Sequence, residues 1–367
     1  MTRRRRWLVV AVLAAAVVAA PYVGSAVPVG DPDLTPAQVA AAVQGSADVE
    51  HSGYVESDGA IQVPEADSFE GIATLLGERN RVRVFWRGGD DWRVDRVRST
   101  GETDLFHRPE GTLRWVYESG NATVTRAAPV RLPDTSDVLP GQLARRVLAG
   151  ARASELSALP ARRVAGRDAA GVRLRPADAQ ASIDRVDVWA DAKTGLPLEV
   201  EVYADGEARP SLSTRYAEVD LTAPAASTTA FDPPPGTDVR FDETIDVADA
   251  SNAFAPYRAP DELAGLTARA GRPDLPTRAV GVYGRGPTVL LFIPLRGRAA
   301  EPLREQLRRT PGVRETTSGT GVDLGPLSIL VTPERRRGSG FLLVGTVTPQ
   351  TLDRAASEVA DLRTRFS

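Results

Sequence analysis

The chain has 367 residues and a net charge of −3; this length allows two domains of ordinary size, and the charge balance argues against a nucleic-acid-binding protein, which usually carries a concentrated basic face. The sequence has no cysteine, which excludes disulfides, thiolate metal sites and cysteine catalysis. Only two histidines are present, which leaves few residues for a zinc or iron site or for histidine catalysis, so we expect a non-enzymatic protein without a cofactor or a metal.

The first 30 residues have the pattern of an export segment. Four arginines at 3–6 precede an apolar run at 7–20, and the small residues Gly24, Ser25 and Ala26 follow. This order is typical of a signal peptide, with cleavage after Ala26. Retention as a membrane anchor also fits, because residues 7–29 approach the length that spans a bilayer. In both cases we expect the rest of the chain on the extracytoplasmic face of the membrane.

Helices are predicted before and within a long series of strands. Thr35 has the features of an N-cap, followed by Pro36 at the first helical position and by Gln38, which completes a capping box. Gly45 ends this helix. A second helix is predicted over 139–148, and residues 154–159 predict a further helical turn. Period-two alternation predicts strands over 54–55, 61–63, 81–86, 92–97, 104–106, 112–117, 121–126, 162–164, 172–175 and 211–219.

The clearest hairpin signal lies at residues 183–203. Two alternating runs flank the turn residues 191–195, and Gly195 can adopt the left-handed conformation that closes a short hairpin. The alternation gives the pair one apolar face, which some other element must cover. The predicted cross-strand pairs are Ala190 with Leu196, Val188 with Leu198, Val186 with Val200, and Arg185 with Glu201.

Several motifs in the first 240 residues resemble the LolA-like superfamily. They are Gly-Tyr-Val at 53–55, Val-Trp-x-Asp at 188–191, Thr-Gly-Leu-Pro-Leu at 194–198 and Phe-x-Pro-Pro-x-Gly at 231–236. This superfamily includes lipoprotein carriers, mycobacterial lipid carriers and MucB/RseB-type periplasmic regulators of anti-sigma factors. The resemblance covers residues 33–240, and it implies an unclosed antiparallel barrel over a helical lid with an apolar cavity for acyl chains. The MucB/RseB branch also has a second, C-terminal domain.

The predicted fold class is therefore α+β, with an antiparallel half-open β-barrel curled over helices. The apolar residues of its strands have two interpretations. They form a filled core, or, as the resemblance implies, some of them line a ligand cavity. The candidate cavity residues are Val82, Val84, Trp86, Trp92, Val94, Leu113, Trp115, Val186, Val188, Leu198, Val200 and Val202.

Residues 253–367 predict a second domain, a small α+β sandwich in which two helices cover a sheet. Residues 237–252 form an acidic linker or edge segment before it. Helices are predicted over 260–270 and 299–309, and a final helix begins with Thr348 as N-cap and Pro349 at its first position. The predicted strands are 279–283, 288–295, 313–317, 327–331 and 341–347.

Two short motifs in this second region are candidate binding sites. Gly284–Arg285–Gly286–Pro287 resembles a phosphate loop, but no helix follows it and it lacks the P-loop lysine, so we interpret it as a hairpin turn. Arg335, Arg336 and Arg337 fit a solvated turn; alternatively they contact an anionic headgroup or an acidic partner.

The sequence predicts an exported, membrane-proximal bacterial protein that binds a lipid or acyl chain. Following the resemblance, it would act as a MucB/RseB-like sensor or regulator of a membrane anti-sigma factor. One alternative is a LolA-like carrier of lipids or lipoproteins with a lipid-transport partner. The other is an interaction module whose barrel is filled and whose C-terminal domain carries the partner surface.

Overall fold

A computed structural model describes residues 33–63, 70–126, 130–241, 251–252, 255, 258–269, 278–333 and 340–360. The predicted export segment at 1–30 and the three arginines at 335–337 lie outside the described residues. Within these ranges, no helix combines the length and the apolar character that a membrane span requires.

The described helices are short and lie mostly between strands. They are α1 (Pro36–Gly45), α2 (Glu70–Gly77), α3 (Pro140–Leu148), α4 (Ala226–Thr229), α5 (Gly297–Arg308) and α6 (Pro349–Ala360). Two 3-10 turns, Thr135–Val138 and Ala153–Glu155, accompany them. The second turn falls where the sequence predicted a helical turn over 154–159, but most of that segment is strand.

One large sheet contains twelve strands. They are β1 (His51–Gly59), β2 (Arg79–Gly88), β3 (Asp91–Arg98), β4 (Gly101–Arg108), β5 (Gly111–Val116), β6 (Asn121–Thr125), β7 (Leu156–Val164), β8 (Arg167–Leu174), β9 (Ile183–Asp191), β10 (Pro197–Ala204), β11 (Leu212–Asp220) and β12 (Asp238–Phe241). Their order is β12-β6-β5-β4-β3-β2-β1-β11-β10-β9-β8-β7. All neighbours are antiparallel except β12, which runs parallel to β6. Since β12 and β7 do not pair with each other, the sheet is open, as the sequence predicted.

The centre of this sheet joins an early strand to a late one. β1 pairs with β2 on one side and with β11 on the other. Two series of sequential hairpins therefore meet at the β1–β11 seam. Val55, Val82, Val94, Val188 and Val200 lie on the same side of the sheet, because cross-strand partners share a face. We call this side the inner face and the opposite side the outer face.

Helices α1 and α3 cover half of the inner face. The capping box of α1 forms as predicted: the Thr35 hydroxyl accepts from the Gln38 amide at 3.3 Å, and the Gln38 side chain accepts from the Thr35 amide at 2.8 Å. Helix α1 packs on β7 and β8, while α3 packs on α1, β10 and β11. The apolar stripes of both helices thus face the sheet, as amphipathic helices require.

The predicted hairpin at 183–203 is present, but its predicted register is wrong. Val188 pairs with Val200 and not with Leu198, and Val186 pairs with Val202 and not with Val200. The register shifts between Pro197 and Glu199. Proline has no N–H to donate to the ladder, so a bulge at this position is physically reasonable. The apolar residues nevertheless stay on one face, because the shift amounts to two residues.

A second sheet contains the six strands β15 (Gly281–Arg285), β16 (Thr288–Leu295), β17 (Arg314–Thr316), β18 (Gly319–Leu324), β19 (Leu327–Val331) and β20 (Gly340–Gly345). Their order is β15-β16-β20-β19-β18-β17. Helix α6 contributes Leu352 to the core on the side of Leu330 and Leu343, whereas α5 contributes Leu307 on the side of Val331. One helix therefore packs on each face. The segment 284–287 is a hairpin turn, as predicted.

The predicted helix over 260–270 is wrong. The structure has two short strands there, β13 (Glu262–Leu263) and β14 (Leu266–Thr267). Ala264 and Gly265 both have positive φ, at 52° and 78°. Two such residues between paired strands form a tight hairpin turn that is incompatible with a helix. Leu263 and Leu266, whose spacing suggested a helix, are instead cross-strand partners.

The two sheets contact each other through polar groups. Arg285, the last residue of β15, donates to Glu155 Oε2 at 2.8 Å and forms an ion pair with Asp178. Hydrogen bonding from Arg285 lowers the pKa of Glu155 to about 2. A β-bridge joins Ala181 to Val347. Arg285 also donates to the Gly150 carbonyl oxygen at 3.2 Å, so the second sheet lies just beyond the C-terminal end of helix α3.

Candidate functional site

One half of the inner face is filled by the side chains of α1 and α3. The helices contribute small and branched apolar residues that pack on the aliphatic side chains of β8 to β11. The buried members of this cluster are Val39, Ala40, Val43, Ala144, Val147, Leu148, Ala170, Val172, Leu174, Ile183, Val186, Val188, Ala190, Val200, Val202 and Leu212. An acyl chain would therefore have to displace the helices to reach this half of the sheet.

The other half of the inner face carries a row of stacked rings. Trp86 and Trp92 stack at 5.6 Å between centroids, Trp92 stacks on His107 at 4.8 Å, and His51 stacks on Trp86 at 6.2 Å. Arg145 of helix α3 lies over the Trp86 ring at 5.9 Å. The row gives this part of the face a flat, polarizable surface instead of aliphatic ridges.

His51 is buried and serves the structure of this row. Its Nε2 lies 2.7 Å from the Tyr216 hydroxyl and its Nδ1 lies 2.7 Å from the Val49 carbonyl oxygen. Burial lowers the pKa of His51 to about 4, and the nearby Arg145 acts in the same direction. The imidazole is therefore neutral at physiological pH. Its ring nitrogens are engaged by a tyrosine and a backbone carbonyl, which is the environment of a structural histidine and not of a general base.

Ten of the twelve predicted cavity residues lie on the inner face and are buried. They are Val82, Val84, Trp86, Trp92, Val94, Val186, Val188, Leu198, Val200 and Val202. The structure brings them into two neighbouring clusters, one under the helices and one around the ring row.

Leu113 and Trp115 are misplaced in the sequence prediction. Phe106 pairs with Leu113, and Asp104 pairs with Trp115, which puts both side chains on the outer face. There they pack with Phe106 and Phe231. Period-two alternation correctly predicts strand β5, but alternation alone does not say which of the two sets of side chains lies on the inner face.

Arg96 is a charged inner-face residue that the sequence analysis does not predict. It continues the alternation of Trp92 and Val94 and pairs directly with Val82. Its exposed fraction is only 8%. Burial lowers the pKa of Arg96 to about 10, with Arg98 as the next cause, so the group still carries its charge at neutral pH. Extending the period-two pattern by one step would have placed it on this face.

The Val-Trp-x-Asp and Thr-Gly-Leu-Pro motifs build the hairpin turn. Asp191 Oδ1 accepts from the amides of Lys193 and Thr194 at 3.0 and 2.8 Å, and Oδ2 accepts from Arg167 at 2.6 Å. Burial would raise the pKa of Asp191, but the hydrogen bonds from Arg167 and Thr194 outweigh burial and lower it. Gly195 has a φ of 72° and lies against Ala42 of helix α1. These motif residues therefore fix the hairpin against α1.

Trp189 of the same motif faces away from the helices. Its Nε1 donates to the Pro160 carbonyl at 3.1 Å, and the Arg162 guanidinium lies 3.2 Å from the ring centroid. The ring is nearly fully buried by these contacts. Trp189 thus anchors β7 to the outer face and does not stand at an inner-face opening.

The outer face also carries a group of three carboxylates, Asp95, Glu102 and Asp104, whose oxygens lie within 4.8 Å of one another. Arg83 and Arg93 form ion pairs with them. Burial, together with the neighbouring Asp95, raises the pKa of Asp104 to about 7. Two guanidinium groups already neutralise most of the negative charge. The arrangement favours a proton held by the acidic group over a divalent cation.

Comparisons with known proteins find similar solved structures but no matching family. No family model and no curated protein matches the chain. A crystal structure of MucB is similar over 88% of this chain and 96% of its own, with 12% identity and a TM-score of 0.48. The Pseudomonas aeruginosa MucA/MucB complex is similar over 87% and 95%, with 16% identity and a TM-score of 0.44. The LolA superfamily protein NE2245 from Nitrosomonas europaea covers 54% of this chain and 99% of its own, with 14% identity and a TM-score of 0.24.

The chain is therefore similar to MucB over most of its length and to LolA-superfamily proteins over about half of it.

Proposed function

We propose that the protein is an exported, non-enzymatic binding protein that holds a lipid or acyl chain between the inner face and its helical cover. The observation that carries this proposal is the construction of the cover. Helices α1 and α3 close the open sheet through apolar side-chain packing. They can move without breaking the backbone hydrogen bonds between the strands, so a ligand can enter without unfolding the sheet.

The physical driving force is apolar burial. Each buried methylene contributes about 0.8 kcal/mol, so a twelve-carbon chain offers roughly 9 kcal/mol before other terms. Part of this gain is offset, because the ligand replaces existing contacts of Val43, Val147 and Leu148 with the sheet. We therefore expect moderate affinity that increases with chain length. The cavity residues are the ten inner-face residues named above.

The sequence resemblance favours a MucB/RseB-like regulator of a membrane anti-sigma factor over a carrier, because that branch has a second, C-terminal domain. MucB has been crystallised in complex with MucA, and we propose an analogous membrane partner for this protein. The proposed domains are residues 33–240 and 253–367. Arg335, Arg336 and Arg337 are proposed to contact an anionic headgroup or an acidic partner.

A direct test measures lipid uptake. The protein is purified from its extracytoplasmic compartment, examined by native mass spectrometry for bound lipid, delipidated and titrated with a fluorescent fatty acid and a fluorescent phospholipid. We expect saturable uptake of at least one probe. The proposal is refuted if the folded, delipidated protein takes up neither.

A second candidate function, an interaction module with a filled barrel, has its own supporting observation. Val186, Val188 and Val200 are fully buried under α1 and α3. If this packing is permanent, an engineered disulfide between α1 and β8 leaves partner binding unchanged, and the protein binds no lipid in its reduced or its oxidised form. The absence of native cysteine makes the cross-link specific. Loss of lipid uptake only in the oxidised form supports the first function.

A further inference from the structure

Arg96 is a buried charge on the inner face that forms no ion pair with any residue the structure describes. Arg96 lies directly opposite Val82 on β2 and opposite Thr103 on β4. Among the described residues, its side chain forms no ion pair and no hydrogen bond, and its Nε is completely shielded from solvent. Buried arginines are normally paired, because removing the charge from water is unfavourable unless another group compensates.

The surroundings of Arg96 are positive. Arg98 follows it on the same face of β3, and Arg114 lies on the same face of β5, where it pairs with Leu105. Both are exposed, and neither forms an ion pair with a described residue. Glu78 attracts Arg96 electrostatically but does not contact it. Three like charges on one face, with one of them buried, have an unfavourable mutual energy that an anion would relieve.

The apolar part of the face begins immediately beside this charge. Val82 and Val94 are the nearest inner-face neighbours of Arg96 along the strands, and Val84 lies one step further. All three are fully buried. A molecule with an anionic end and an apolar tail could therefore place its charge at Arg96 and its tail over the valines. The planar guanidinium binds the two oxygens of a carboxylate or a phosphate at once.

We propose that Arg96, supported by Arg98 and Arg114, binds the anionic group of the ligand, a carboxylate or a phosphate, at one end of the inner face. This inference rests on the proposed lipid-binding function and adds a preference for charge at the head of the ligand. It also explains why a charged residue is tolerated at an otherwise apolar position. Neutral lipids with the same chain would bind more weakly.

The test compares ligands that differ only in the head. The delipidated full-length protein is titrated with dodecanoate, dodecyl phosphate and neutral monododecanoyl glycerol, and its thermal unfolding is measured with and without inorganic phosphate. Arg96→Met removes the charge but keeps an unbranched side chain, and Arg96→Lys keeps the charge. Arg81→Met is the matched control, because Arg81 lies on the outer face of β2, where it is exposed.

We expect the wild type to prefer the two anionic ligands over the neutral one by about tenfold or more. Arg96→Met should abolish this preference while leaving the neutral ligand unaffected, Arg96→Lys should retain part of it, and Arg81→Met should retain all of it. A response to inorganic phosphate that depends on Arg96 would identify free phosphate as a second source of the anion, and a response to the lipid ligands alone would identify the headgroup.

Equal binding of anionic and neutral ligands by the wild type would overturn the anion site and leave the proposed lipid binding intact. So would a preference that survives in Arg96→Met. If no acyl ligand binds, the proposed function itself fails. In that case the measurement with inorganic phosphate tests the anion site on its own. The anion site is also overturned if phosphate does not raise the unfolding temperature of the wild type, or raises that of Arg96→Met equally.

Discussion

Acid should destabilise this fold through His51. The folded state holds the imidazole neutral, with a pKa lowered from 6.5 to about 4, whereas the unfolded chain takes up a proton as the pH falls below 6.5. The contribution of His51 to stability is therefore fully present above pH 6.5 and is lost as the pH falls toward 4. The pKa shift corresponds to a loss in the free energy of unfolding of roughly 3 kcal/mol when complete and about 2 kcal/mol at pH 5.

The assay is urea unfolding followed by tryptophan fluorescence at pH 7.5, 6 and 5, for the wild type and for His51→Gln. Glutamine stays neutral and can still bond to the Tyr216 hydroxyl and the Val49 carbonyl. Carboxylates also titrate in acid, but they do so in both proteins, so the difference between the two isolates His51. We expect His51→Gln to lose about 2 kcal/mol less stability between pH 7.5 and 5. If both proteins lose the same amount of stability, the folded state does not hold His51 neutral, and the reasoning is refuted.

Three further predictions concern single side chains. Gly195→Ala should lower stability by about 1 kcal/mol or more, because its φ is positive and the new Cβ would lie within 2.6 Å of the Ala42 carbonyl oxygen; an unchanged urea midpoint would contradict this. Asp104→Asn should raise the melting temperature at pH 8 more than at pH 4.5, because the pKa of Asp104 is raised from 3.8 to about 7 in the folded state, so that this carboxyl lowers stability increasingly from about pH 4 and fully above about pH 7; an equal effect at both pH values would argue against it. Val200→Arg should abolish folding or acyl uptake, whereas the exposed control Val97→Arg should do neither. Circular dichroism measures folding, and probe titration measures uptake. A Val200→Arg protein that folds and binds normally would show that the inner face is wrongly assigned.

Local signals in the sequence were sufficient for the elements that depend on them. The capping box at Thr35 and the turn at residues 191–195 each involve residues within four positions of one another, so their chemistry is visible in the sequence. The class of fold and the open sheet also followed, because a long series of hairpins with few helices has few packing solutions. The helix α2 was not predicted at all.

Details that depend on distant partners were missed. The bulge at Pro197 shifted the hairpin register, and the correct side for Trp115 depends on Phe231. Ala264 in a left-handed conformation is unusual for a residue with a Cβ, so the turn there gave no clear signal. Arg96 was overlooked because a charged residue in a strand is ordinarily expected to face water.

The β1–β11 seam has a consequence for how the chain folds. His51 and Tyr216, which meet across the seam, are 165 positions apart in the sequence, whereas the other pairs of the sheet are mostly consecutive hairpins. Closing such a distant pair requires a large loss of chain entropy before any contact compensates for it. We expect the two series of hairpins to form early and independently, and the seam to join them in the slow step. Substitutions along the seam should therefore change the folding rate more than equally destabilising substitutions at either edge of the sheet.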